Sequence, residues 1–155
     1  MGKKKIKLPP GGNSKTEAAN KQSSDPDAFY HKNPVWSFLY CDFEHEHWGM
    51  DCNLDRLSNL LKRLQALQRQ TWNEITQDTA GRSRNTKHHA IAVTNIIGEA
   101  QERFKALSLH HSFDSIYSLT ITGSIRLFGI RTEEVFHIVW MDPNHEICPS
   151  PKRHT

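Results

Sequence analysis

The sequence predicts an α+β fold, in which an N-terminal strand and helices pack on one face of a twisted antiparallel sheet. In the first half of the chain, apolar residues recur at the three- and four-residue spacing of a helix. Near residue 112 the apolar period changes to two, which is the period of a half-buried strand. Helices that come first and a β-meander that comes last are typical of this class, because the helices can then cover one face of the sheet.

The chain divides into a basic tail, a single domain and a short end. Residues 1–34 contain seven lysines and three acidic residues, a net charge of +4, and have almost nothing to bury. We therefore expect a disordered tail at 1–34, one α+β domain at 35–149 and a C-terminal tail at 150–155. The rest of the chain has 13 basic and 14 acidic residues, a net charge of −1, which argues against broad, non-specific coating of nucleic acid.

The first half of the domain contains one strand and two helices. The segment "VWSFLYCDF" at 35–43 is aromatic and β-branched, which predicts a strand. Asn53 is a suitable N-cap for the helix that follows, and Thr71 and Glu74 form a capping-box pattern that opens a short second helix. The first helix is predicted by its regularly spaced leucines, which are Leu54, Leu57, Leu60, Leu61, Leu64 and Leu67.

A polar, basic loop, "TAGRSRNTKHH", follows these helices. Its Arg82, Arg84 and Lys87 are the one basic cluster of the body and could lie along a phosphate backbone, although the same residues also suit a solvated loop. After the loop we predict a short strand at 90–93 and a helix near 96–107, where apolar residues again recur at helical spacing.

Three strands are predicted at 115–122, 124–131 and 135–142. If the last two are joined by a four-residue loop at Arg131–Glu134, Leu127 faces Ile138 on an apolar face suited to the leucine helix. The opposite face would then carry Arg126 and His137 among apolar neighbours, as in a half-exposed groove.

Histidines and cysteines are numerous but do not follow a metal-binding pattern. "EHEHWGMDC" at 44–52 has no zinc-site spacing, and His88, His89, His110 and His111 are expected at the surface, so we expect no metal and no cofactor. Three cysteines at unrelated spacings fit a reducing compartment, and no apolar run approaches the roughly 18 residues needed to span a bilayer. We expect a cytoplasmic protein.

The segment "SIRLFGIRTEEVFHIVWMDPNHEICP" at 124–149 resembles the end of the RelE/ParE-like toxin superfamily. The shared pattern is a strand with arginine, a hairpin, an apolar strand and a histidine where the chain leaves the sheet. The resemblance implies helices before a twisted antiparallel sheet and, in many members, cleavage of mRNA, often on the ribosome; other members poison gyrase. By position, Arg126 or Arg131 would bind phosphate and His145 would be the general acid. This chain departs from the pattern in its neutral body, its long tail and its acidic "DPNHE" segment.

Cleavage of RNA without a metal needs a base for the 2′-hydroxyl proton, cations for the charge on phosphorus and an acid for the leaving 5′-oxygen. Histidine suits the acid or base role and arginine the charge role. His145, Arg126, Arg131 and His137 are therefore the candidate catalytic residues, although His137 also fits an ordinary sheet position. The sequence does not identify the base.

Two functions are compatible with these features. The first is a RelE-like toxin that cleaves mRNA, including mRNA bound to the ribosome, and that has an antitoxin protein as its partner and no membrane partner. The alternative is a non-catalytic binding module of the same fold, with a protein or nucleic acid as its partner.

Overall fold

The structure is a computed structural model and describes residues 26–78 and 87–149. It is an α+β fold, as the sequence predicts. A 3-10 helix at Ala28–His31 precedes the first strand. The strands and α-helices, in chain order, are β1 (Val35–Ser37), α1 (Leu54–Gln68), α2 (Trp72–Gln77), β2 (His89–Ala92), α3 (Gly98–Ala106), β3 (Ser115–Thr122), β4 (Ile125–Thr132) and β5 (Val135–Asp142), and two further 3-10 helices lie at Val93–Asn95 and Leu109–His111.

The helix starts are those that the local sequence predicts. The Asn53 side chain accepts a hydrogen bond from the Arg56 backbone N–H at 2.8 Å and caps α1. At α2, the Thr71 hydroxyl accepts from the Glu74 backbone and the Glu74 carboxylate accepts from the Thr71 backbone at 2.7 Å, which completes the capping box. Both caps satisfy backbone donors that the first helical turn leaves free.

The five strands form one sheet in the order β1-β5-β4-β3-β2. The β2, β3, β4 and β5 strands pair antiparallel with their neighbours, whereas β1 pairs parallel to β5, so the sheet is mixed rather than wholly antiparallel. The parallel pairing arises because α1 and α2 return the chain to the same end of the sheet before β2 begins.

The β4–β5 register differs from the predicted one. Thr132 pairs with Val135, so the connection is a two-residue turn in which Glu133 has a φ of 54°. A further irregularity between Phe128 and Gly129 shifts the register again, and Arg126 pairs with Asp142 instead of Val139. The predicted four-residue loop at 131–134 was wrong, because Thr132 extends the ladder that a longer loop would have interrupted.

Two hydrophobic clusters lie on the sheet, and side chains alternate between them along β3 and β4, whereas the neighbours Val139 and Trp140 of β5 both belong to the second cluster. The first cluster joins the α1 leucines and Trp72 to Leu127 and Ile138, as expected for the leucine helix. The second joins Phe104 of α3 and the loop residue Trp48 to strand residues that include Phe128 and Trp140.

The folded part of the chain begins at an earlier residue than the sequence predicts. The β1 strand also ends at an earlier residue than predicted. Phe29 and Tyr30 pack against the first cluster, and the Lys32 carbonyl accepts from the Trp72 backbone N–H at 2.9 Å, so the domain includes part of the 1–34 segment predicted to be disordered. The predicted 35–43 strand ends at Ser37, whose hydroxyl accepts from the Leu39 backbone N–H.

Candidate active site at the end of the meander

One buried carboxylate fixes how the chain leaves β5. Asp142 is fully buried and accepts hydrogen bonds from the backbone N–H groups of Asn144 at 3.2 Å and Ile147 at 2.8 Å. The two carboxylate oxygens of Asp142 thus bind the backbone on both sides of the turn. The residues between Asn144 and Ile147 are therefore held in one conformation.

His145 lies in that turn and is half-buried, with a left-handed φ of 58°. This conformation is uncommon for a residue with a side chain and persists where the surroundings impose it. Two further hydrogen bonds hold the segment: Ser124 Oγ donates to the Pro143 carbonyl at 2.8 Å, and Trp48 Nε1 donates to Glu146 Oε2 at 3.4 Å. The backbone that carries the His145 imidazole is therefore constrained.

Arg126 pairs with Asp142 in the sheet and is half-buried beside it. Its Nη1 donates to the carbonyls of Gly123 at 2.6 Å and Ile125 at 3.2 Å. Burial lowers the pKa of Arg126, and the charge of Asp142 opposes that shift. Within residues 26–78 and 87–149, no carboxylate forms an ion pair with this guanidinium, so its charge is not neutralised by a direct partner.

His89 is the third member of this cluster. It is exposed on β2 and pairs with Ser118, which lies two residues from Thr120, the partner of Arg126. Side chains two residues apart share a face of a strand, so His89 and Arg126 lie on the same face. The pKa of His145 is lowered first by burial and then by the charges of Arg126 and His89, against the effect of Asp142. Arg126 and His89 thus lie near enough to His145 for their charges to affect its pKa.

His137, a predicted catalytic residue, lies elsewhere. Its Nδ1 is 2.9 Å from Ser37 Oγ and its ring is 5.0 Å from that of Tyr40. At about 3.3 Å per strand residue, His137 is roughly 17 Å from Asp142 along β5. Burial lowers its pKa. It is a side chain of the β1–β5 contact and not part of the cluster.

Arg131 is also separated from His145. Its guanidinium carbon lies 4.5 Å from the ring centre of Phe29, 5.1 Å from that of Trp72 and 4.9 Å from that of Tyr117. Stacking on several aromatic faces is a packing role that suits arginine. It anchors the N-terminal segment, and Arg126 is therefore the arginine that accompanies His145.

The predicted nucleic-acid loop is described only at its end. Arg82 and Arg84 lie outside the described residues. The Lys87 ammonium is 3.2 Å from Asp78 Oδ1 and forms an ion pair with it. Lys87 therefore has a carboxylate partner of its own.

His88, expected at the surface, is buried. Its Nδ1 accepts from the Thr120 backbone N–H at 3.1 Å, and its Nε2 is 3.6 Å from Asp78. Burial, followed by the charges of Arg63 and Lys87, lowers the pKa of His88 to about 4, although Asp78 opposes the shift. The imidazole is neutral near pH 7. The two adjacent histidines point to opposite faces, which leaves His89 exposed.

The contacts of Asp42 were not predicted from the sequence, and they join α3 to β5. Asp42 accepts two hydrogen bonds from Arg103, at 2.7 and 2.8 Å, and one from Trp140 Nε1 at 2.9 Å. Burial would raise the pKa of Asp42, but these hydrogen bonds and the Arg103 charge outweigh it and hold the pKa at about 2. An acid inside the apolar "FLYCDF" segment was the available signal, since a carboxylate there needs a buried partner.

The His-rich segment at 44–52 packs on the protein. The His45 ring stacks on Trp48 at 4.2 Å, and its Nδ1 accepts from the backbone N–H groups of His47 and Trp48. Across 26–78 and 87–149, no three His, Cys, Asp or Glu side chains are grouped so that they could hold a metal ion. Nor does any helix in the described part of the chain have the length and apolar character needed to cross a membrane.

Comparisons with known proteins identify a family. Residues 43–155, which include both α1 and the whole meander, match the family described as "Uncharacterised protein UU032". No curated protein and no solved structure matches the chain. Because the match covers well over half of the sequence, the chain belongs to the UU032 family.

Proposed function

We propose that this protein is a toxin of the RelE-like kind, a metal-independent endoribonuclease that cleaves mRNA at the cluster of His145, Arg126 and His89. The main support for the proposal is that three side chains lie at the same end of the sheet. They are a constrained, half-buried histidine, an arginine without a carboxylate ion pair in the described structure and a second histidine. These are the side-chain types that cleavage of a phosphodiester by its own 2′-hydroxyl requires.

Each residue has a role in the proposed reaction. His89 takes the proton of the 2′-hydroxyl, and the 2′-oxygen then attacks phosphorus. Arg126 stabilises the negative charge that develops on the phosphoryl oxygens. His145 donates its proton to the departing 5′-oxygen, so the products carry a 2′,3′-cyclic phosphate and a 5′-hydroxyl. The base that the sequence did not reveal is thus assigned to His89.

The cellular setting belongs to the same proposal. Cys41, Cys52 and Cys148 are all free thiols, which supports a reducing compartment, and we place the activity in the cytoplasm. An mRNA substrate, free or bound to the ribosome, and an antitoxin protein that restrains the enzyme are the partners of this function.

Growth of cells in which the protein is induced tests the proposal. We expect induction to arrest growth, and His145→Ala or Arg126→Ala to abolish the arrest while the protein stays folded by circular dichroism. His110→Ala is the matched control, because His110 is an exposed histidine on the 3-10 helix after α3. Growth arrest that persists undiminished in His145→Ala would contradict the proposal.

A second candidate function, a non-catalytic binding module, is favoured by the exposed face of α1. Leu54 is 83% exposed and Leu61 is 50% exposed, and with Leu57 they border an open cleft of about 510 Å³. An apolar stripe of this kind suits a protein partner. Harmless induction of the parent protein, together with loss of a stable complex in Leu57→Asp/Leu61→Asp, would favour this function over cleavage.

A further inference from the structure

A groove separates α1 from the end of β3, on the face of the sheet that carries Leu127 and is therefore opposite to the neighbouring Arg126. It consists of two adjoining clefts of about 190 and 460 Å³, which share Asn59, Ile121 and Thr122 as lining residues. We call it the α1 groove. The exposed leucines Leu54, Leu57 and Leu61 border a separate cleft on the same helix, and Lys62 lies between that cleft and the α1 groove.

One wall of the α1 groove is cationic. Arg56 lines the smaller cleft, and Lys62 and Arg63 line the larger one. Asp55 is the single acidic residue of α1, and among the described residues no carboxylate forms an ion pair with any of these three cations. Such a wall attracts an anion, and its three charges spaced along a helix suit successive phosphates better than a single small ion.

The floor of the smaller cleft is apolar. It is formed by Leu60, Ile121, Ile125 and Met141, while the Asn59 amide and the Thr122 hydroxyl stand at its rim. This combination, an apolar floor with a few hydrogen-bonding groups, is typical of small-molecule sites, and a cleft of about 190 Å³ suits a group no larger than a single base. The groove therefore offers an apolar site for a base beside cations for phosphate.

The α1 groove ends at the turn next to the candidate active site. Thr122 and Ile125 flank the β3–β4 turn, and Arg126 is the next residue along β4. The Ser124 hydroxyl of this turn donates to the Pro143 carbonyl, which immediately precedes the His145 segment. An extended ligand with several phosphates that lies in the groove can therefore pass over the β3–β4 turn and reach Arg126 and His145.

We propose that the α1 groove binds single-stranded RNA, with phosphates on Arg56, Lys62 and Arg63 and one unstacked base in the apolar cleft. The choice of RNA rests on the proposed ribonuclease function, whereas the phosphate and base sites rest on the groove itself. A duplex does not suit this surface, because its bases are stacked and a narrow cleft cannot receive them.

Binding of a fluorescently labelled, short polyuridine RNA to the full chain tests the inference. The test variant is Arg56→Gln/Lys62→Gln, and both side chains are exposed, so the fold should be retained. The control is Lys32→Gln/Lys105→Gln, which makes the same change in net charge at exposed lysines outside the groove. We expect the test variant to bind more weakly and its plot of log affinity against log salt to be shallower by about 1.4, since each phosphate contact on a single strand contributes about 0.7. The control should bind like the parent.

Two results would overturn the inference: equal binding by the test variant and the control, or equally tight binding of duplex DNA by the parent. The outcome is separate from that of the ribonuclease proposal. A parent that binds RNA through the groove but does not cleave it would contradict the catalytic proposal alone. A groove variant that cleaves and binds like the parent would contradict this inference alone.

Discussion

His145 is held in an environment that disfavours its protonated form. Burial and the nearby charges of Arg126 and His89 lower its pKa, and Asp142 compensates only in part. We predict that an NMR titration of His145 gives a pKa below the ordinary histidine value of about 6.5, and that Arg126→Gln raises it, because one of the positive charges is removed. A His145 pKa unchanged in Arg126→Gln would show that the two side chains do not interact.

The same lowered pKa predicts how cleavage depends on pH. If His145 is the acid, its active form is the protonated one, which is lost as the pH rises through its pKa. The rate of cleavage should therefore decline at a lower pH than for an acid with an ordinary histidine pKa.

His88 makes the fold sensitive to acid. Its pKa is about 4 in the folded protein against an ordinary 6.5, so the unfolded chain binds more protons between these values. The stability that the neutral imidazole contributes is fully present above about pH 6.5 and is lost as the pH falls toward 4. We predict that the free energy of unfolding in urea falls between pH 7 and pH 5 by about 1–2 kcal/mol more in the parent than in His88→Asn, which retains an acceptor for Thr120. His110→Asn should leave the parental pH dependence unchanged, and an equal fall in His88→Asn would refute this role.

At the scale of the elements, the close packing of β4 against β5 requires a glycine at position 129. A Cβ at Gly129 would collide with the His137 carbonyl and the Phe136 ring, at the point where the β4–β5 register is irregular. Gly129→Ala should lower the free energy of unfolding by about 1–3 kcal/mol, as overpacking does. Gly98→Ala is the control, because a Cβ there has nothing within 4 Å. Equal stabilities of the two variants would contradict the crowding at Gly129.

The elements with a regular apolar period could be predicted from the sequence, and their relative placement could not. The α1 leucines, the Thr71 capping box and the three meander strands follow from spacing and local hydrogen-bond chemistry, and all are present. The β4–β5 register depends on one extra ladder pair at Thr132, which the sequence does not mark. Arg131 and His137 are separated from His145 because they lie at the opposite end of β4 and β5 from the Arg126–Asp142 pair.

The residues of the candidate site could likewise be predicted only in part from the sequence. His145 and Arg126 could be paired from the sequence, because a hairpin between β4 and β5 places the end of β5 beside the start of β4. His89 could not, because its position depends on how β2 aligns with β3, more than 25 residues further along the chain. Asp42 pairs with Arg103 across 61 residues, a contact that no local pattern encodes.

At the scale of the whole molecule, Asp42 connects three parts of the fold. Arg103 of α3, Trp140 of β5 and the 42–50 loop meet at its carboxylate, and the Trp48 carbonyl of that loop accepts from the Met141 backbone N–H. We predict that Arg103→Ala lowers the free energy of unfolding by about 1–3 kcal/mol, because the buried Asp42 carboxylate loses two hydrogen bonds and its cation. Lys105→Ala, on the exposed side of the same helix, should cost little. A small effect of Arg103→Ala in chemical denaturation would show that Asp42 does not organise the fold.

The central claim is that His145 serves as an acid in RNA cleavage, and the cleavage rate of purified protein on labelled RNA in the presence of EDTA tests it most directly. We predict that the parent and His110→Ala cleave at the same rate and leave a 2′,3′-cyclic phosphate, and that His145→Ala is slower by about 10²–10⁴-fold, the usual loss for one acid–base group. A parental rate in His145→Ala, or no cleavage by the parent on free or ribosome-bound mRNA, would contradict the claim.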